Sequence, residues 1–201
     1  MMKRFAALAA LGLGLMLALP AAAQMPTFVR GVVSAATPTQ LTITTRDGKP
    51  VTVALAPNWS VVVMTPIAID KIQPGSFIGT SEMPQPDGTG LSLEVHVFPP
   101  GVKMGEGHYP WDLQPGSMMT NGTVGTVTAV NGGRKLVVTY GTSSRTITVP
   151  ANVPIVLITP GGDKSLVAPG AHVFLAAVAG PGGALTTNSI STGLNGAAPP
   201  M

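Results

Sequence analysis

The side chains capable of chemistry collect in one stretch. Between Glu94 and Met119 lie three acids (Glu94, Glu106, Asp112), two of the three histidines (His96, His108), Tyr109, Trp111 and three methionines (Met104, Met118, Met119). Neutral imidazole plus carboxylate suits Zn or Cu(II), and a thioether suits Cu(I). His96, Glu106 and His108, with Asp112 or Met104 as a further donor, are therefore the candidate metal set. Their spacing matches no known ligand motif, and the competing reading has His108 and Asp112 bonding the loop backbone. Tyr109 and Trp111 would then anchor a proline-stiffened segment, 99–121, on the rest of the molecule. Tyr109, Trp111 and Asp112 are also the candidate contacts for an outside partner.

Nucleophilic catalysis has less to build on. There is no G-x-S-x-G elbow, no serine with an evident His and carboxylate, and no cysteine for thiolate chemistry. Glu82 with Asp87, or Glu94 with Glu106, would be possible carboxylate pairs, but all four read as surface groups. The glycine pairs at Gly161-Gly162 and Gly182-Gly183 fall at hairpin positions and not between a strand and a helix, so they are turns, not phosphate cradles.

The elements that must position these residues are strands. Twenty-five Gly and 20 Pro in 201 residues exclude long helices and favour short strands joined by turns. The chain also repeats itself at an offset of about 94 residues. Gly31-Val32-Val33-Ser34-Ala35 matches Gly125-Thr126-Val127-Thr128-Ala129, and Leu41-Thr42-Ile43-Thr44 matches Leu136-Val137-Val138-Thr139. Val53 to Asn58 matches Ile147 to Asn152, Val63-Met64-Thr65-Pro66 matches Leu157-Ile158-Thr159-Pro160, and Gln73-Pro74-Gly75 matches Ala168-Pro169-Gly170. Leu41 and Ile43 alternate with threonines, as in a sheet with one face buried. Asp47-Gly48 and Asn131-Gly132 are hairpin turns. Val61 to Met64 and Ile155 to Ile158 are unbroken apolar runs, which suit strands covered on both sides. The expected fold is all-β: two tandem small antiparallel barrels of the OB or SH3-like kind, one over 28–98 and one over 122–193, with a β-sandwich as the alternative. Residues 194–201 carry neither charge nor period and read as a disordered tail.

Lys3 and Arg4, an apolar run from Phe5 to Leu19 and Ala21-Ala22-Ala23 read as a signal peptide over 1–23. Cleavage would give a periplasmic or secreted product, with no membrane span downstream. Without Lys3 and Arg4 the chain has nine basic and eight acidic residues, and the bases are scattered. That argues against nucleic acid as a partner.

The pattern G-x-V-x-A, L-x-[IV]-x-T, [IV]-x-[VL]-x-x-N, [VL]-x-x-T-P and P-G resembles a bacterial family of exported, duplicated β-domains of unknown function. Glu94-Val95-His96-Val97-Phe98-Pro99, then Gly105 to Leu113 and Met119-Thr120-Asn121, are similar to a subgroup of it that often carries the label of a metal-transporter permease. A permease needs several membrane-spanning helices, and no segment after the leader could form one. The resemblance thus implies an exported β-module with no catalytic residues to carry over. The expected function is a non-catalytic periplasmic or secreted module that binds a protein or glycan or serves structurally, without a cofactor. Metal (Zn or Cu) handling is the alternative and a hydrolase the second.

Overall fold

A computed structural model describes residues 26–201; the predicted signal segment, 1–23, lies outside the described residues. The chain is all-β. Its strands are β1 (Thr27–Thr37), β2 (Gln40–Thr45), β3 (Pro50–Pro66), β4 (Phe77–Pro84), β5 (Gly90–Val97), β6 (Gly107–Pro110), β7 (Met118–Val130), β8 (Gly133–Tyr140), β9 (Ser143–Pro150), β10 (Ile155–Gly162), β11 (His172–Ala179) and β12 (Leu185–Gly193). The hairpin glycines sit where the turns need positive φ, Gly48 at 79° and Gly132 at 77°.

The strands close into two five-membered rings, and each ring mixes the two sequence units. In the first, β1, β2 and β3 form an antiparallel meander, β3 runs parallel to β12, and β12 and β11 return antiparallel to β1. In the second, β7, β8 and β9 form the meander, β9 pairs parallel with β5, and β5 and β4 return to β7. The units 28–98 and 122–193 therefore do not each fold into a barrel of their own: each lends its last two strands to the other's first three. β3 and β10 pair antiparallel where the rings meet, and β10 continues in parallel onto β5.

Three cores result. The first ring encloses Val33, Leu41, Ile43, Val53, Leu175 and Ile190, among others. The second encloses Ile78, Val95, Leu136, Val138, Ile147 and Val149. A third core lies between them, with Met64, Phe77, Phe98, Val156, Ile158, Phe174 and Met201. This layering explains the unbroken apolar runs. Val61 and Val63 face the first ring while Met64 faces the middle core, and Ile155 faces the second ring while Val156 and Ile158 face the middle.

Two sequence expectations change. By strand register Gly31 corresponds to Gly122 and not to Gly125. Gly31 pairs with Val173 and Gly122 with Ile78, and a Cβ on either glycine would overlap a carbonyl of the next strand, Thr44 or Thr139. Residues 194–201 are not a disordered tail: Leu194–Gly196 form a 3-10 turn, and Met201 is buried in the middle core with its carbonyl held by Arg30 Nε at 2.8 Å.

Candidate functional site

The polar residues fall into two clusters on opposite faces of β4. Alternation along that strand sends Ile78, Thr80 and Glu82 towards the interior of the second ring, and Phe77, Gly79 and Ser81 to the outside. A register shift opposite Ser81 and Glu82 makes Leu93 an extra residue on β5, so Ser92 turns inward while Glu94 and His96 face outward.

At the mouth of the second ring, Glu82 is fully buried and its Oε1 accepts from Arg145 Nε. The Arg145 guanidinium also donates to the carbonyls of Gly88 (3.3 Å) and Thr89 (3.2 Å), which fastens the 84–90 turn. His108 lies 3.8 Å from Glu82 Oε1, bonds Thr120 Oγ1 at 2.8 Å and stacks on Tyr140. Burial raises the Glu82 carboxyl, opposed by Arg145 and Thr120. Burial, then the Arg145 charge, lowers His108.

On the outer face, Glu94 and His96 form a second buried pair, 0% and 3% exposed. Glu94 Oε1 accepts the Ser81 N–H at 2.8 Å, and Oε2 lies 3.1 Å from His96 Nδ1. A carboxylate only accepts, so Nδ1 carries a proton, and in the neutral imidazole Nε2 is the acceptor. Beside it stands Asn121, whose amide nitrogen donates to Gly105 O (2.9 Å) and Tyr109 Oη (2.6 Å) while its buried Oδ1 has no partner. Burial raises the Tyr109 phenol and the Asn121 bond opposes this, so the group stays a neutral hydroxyl. His96 Nε2 and Asn121 Oδ1 both crowd Gly79, where any Cβ would overlap them. They open on a cavity of about 330 Å³ between the rings, whose walls include Val62, Phe98, Ile158, Phe174 and the exposed Met104.

The predicted metal donors do not converge. His96 faces the inter-ring cavity, His108 is tied to Thr120 over the ring mouth, and Glu106 accepts the Gly141 N–H at 2.9 Å. Among the described residues no three His, Cys, Asp or Glu side chains form a metal-binding group. Of the predicted partner contacts, Tyr109 and Trp111 are partly buried and Asp112 is exposed. Tyr109 holds Asn121, Trp111 packs against Phe28 at 4.5 Å between ring centroids, and Asp112 takes a bidentate bond from Arg30 at 2.9 and 2.6 Å. His108 and Asp112 thus bond side chains and not the loop backbone. Glu82 and Glu94, read as surface acids, are the most deeply buried charges among the described residues.

Sequence reasoning gave no role to Gly79, Asn121 and Arg145, and it placed Glu82 and Glu94 on the surface. Two signals were present: Glu94 and His96 at i and i+2 share one strand face, and Gly79 interrupts a strand interior, which marks a close approach.

The fold and site together define an all-β protein of two fused small barrels, with a carboxylate-oriented imidazole at the cleft between them. The chain matches no protein-family model, no curated protein and no solved structure.

Proposed function

We propose that the protein is an exported, non-catalytic binding module whose ligand site is the cavity between the two rings. One observation carries this reading: the buried Asn121 Oδ1 has no hydrogen-bond partner, and it lines a largely apolar cavity together with the imidazole of His96. An orphaned buried acceptor costs about 1–3 kcal/mol, so one held at a cavity wall by dedicated hydrogen bonds fits a site kept ready for a ligand. The cavity is within the range of small-molecule pockets and has their character, apolar walls with a few convergent polar groups. The strand order within each ring is that of an OB-type barrel, and the leader fits export, as does the likeness to exported duplicated β-domains. Binding thus moves from the surface of 99–121 to the cavity that this segment helps to wall.

The test is thermal unfolding of the protein and of Gly79→Phe with a panel of compact amphipathic compounds, neutral, cationic and anionic. At a hundred times Kd a true ligand adds about 2.7 kcal/mol of stability. Saturable stabilisation of the protein that is absent in a folded Gly79→Phe variant is expected. No response to any compound, or equal responses in both proteins, would overturn the reading.

A further inference from the structure

Resting on that reading, we infer that the cavity takes a protonated primary or secondary amine bearing a compact apolar body. The polar wall determines the head group. His96 has committed its Nδ1–H to Glu94, and Asn121 has committed its amide hydrogens to Gly105 and Tyr109. With a neutral imidazole the wall at Gly79 offers two acceptors, Nε2 and Asn121 Oδ1, which fit a head rich in donors.

Charge points the same way. The buried Glu94 carboxylate sits directly behind the imidazole, its hydrogen-bond partners are Ser81 N–H and His96, and among the described residues no Lys or Arg pairs with it. A carboxylate in that place adds negative potential on the imidazole side of the cavity. Arg30, which approaches Phe174 at 5.0 Å, is itself neutralised by Asp112. The rings of Phe98, Tyr109 and Phe174 line the same space, and aromatic rings attract a cation. The remaining wall, including Val62 and Ile158, suits an apolar body. At the roughly 30 Å³ a water occupies in the liquid, the whole cavity holds on the order of ten non-hydrogen atoms.

The experiment is calorimetric titration of the full chain with four probes sharing one body: hexylamine, hexan-1-ol, hexanoate and hexyltrimethylammonium. Hexylamine is expected to bind about tenfold or more tighter than the alcohol, since hydrogen bonds to a charged donor are the stronger ones. Hexanoate is expected not to bind, and the trimethylated cation, which lacks N–H donors, to bind more weakly than the amine. Asn121→Asp adds charge beside Nε2 and should tighten hexylamine alone, whereas Asn121→Leu should bring it down to the level of hexan-1-ol. If the alcohol and hexanoate bind as well as the amine, the head-group inference falls and the cavity reading stands. If no probe binds, both fall.

Discussion

The two rings have the same strand order but are filled differently. Parallel pairing sets Gly90 against Ile147 in one and Leu185 against Val53 in the other, which makes the positions correspond one by one. Thr80, Glu82, Thr120 and Arg145 of the second ring stand where the first has Leu175, Ala177, Val29 and Val51. On the cleft side, Gly79, Glu94, His96 and Asn121 stand where the first has Phe174, Ser189, Ser191 and Arg30. Ser92 and Thr187 keep one role in both rings: each precedes the same bulge and turns its hydroxyl back to a strand carbonyl, Glu94 O at 2.9 Å and Ser189 O at 3.0 Å. The barrel itself therefore needs neither buried charge nor the orphaned acceptor. The first ring shows the apolar solution at each place, so the polar residues of the second are additions, and those on the cleft side are the ones assigned to a ligand.

The largest effect expected from this comparison is at Glu82 and Arg145. Arg145→Ala leaves a carboxylate buried without its cation and should cost about 3–5 kcal/mol, read as a shift in denaturant midpoint. Installing the first ring's solution, Glu82→Ala with Arg145→Val, should recover most of that loss. A double variant as unstable as the single one would show that the rings are not interchangeable at this place.

Next comes Gly79→Ala, which forces a methyl group onto His96 and Asn121. Overpacking of this kind costs about 1–3 kcal/mol, and the melting temperature should fall accordingly. No change would mean that the two acceptors are free to move apart.

A smaller effect concerns pH. His108 is lowered by burial, so between its folded value and the ordinary imidazole value the unfolded chain binds more protons, and stability rises with pH across that window. Glu82 is raised, so its contribution is greatest below the ordinary carboxyl value and declines as pH rises towards its folded value. The comparison that isolates His108 is the difference between the protein and His108→Gln. The stability of the protein relative to His108→Gln should fall as pH drops below about 6.5, by at most about 1.4 kcal/mol per pH unit, the work of one proton. Stability curves that stay parallel through that range would remove His108 from the account.

The smallest effect is at the Arg30–Asp112 pair. Asp112 is half exposed, so Asp112→Asn should cost under about 1 kcal/mol and lose even that in high salt. A larger loss would show that the 99–121 segment is held by this pair more than by Trp111.

Much of the architecture was legible in the residues because strands announce themselves locally. Alternation at Leu41 to Thr44, the Asp47-Gly48 and Asn131-Gly132 turns and the runs at Val61 and Ile155 all mark elements found in the structure. Which strands share a ring was not legible, because β4 carries the same pattern whether it closes on its own unit or on the other. The Gly31 correspondence was missed because G-x-V recurs three residues apart at Gly122 and Gly125, and only the overlap with Thr44 or Thr139 separates the two. Glu94 and His96 read as a wet face because period 2 reports which residues share a face and not what covers it. Here the first ring covers it. Burial of Met201 depends on contacts as distant in sequence as Arg30, which no local pattern encodes.

The central claim is that His96 Nε2 is an unprotonated acceptor awaiting a ligand in the inter-ring cavity. The most direct measurement is the nitrogen NMR spectrum of His96 at pH about 8, above the ordinary imidazole range, with and without hexylamine. The account predicts the Nδ1–H tautomer in the free protein and an Nε2 resonance that moves as the amine binds. A proton on Nε2, or an Nε2 resonance that stays fixed while calorimetry shows the amine bound, would contradict it.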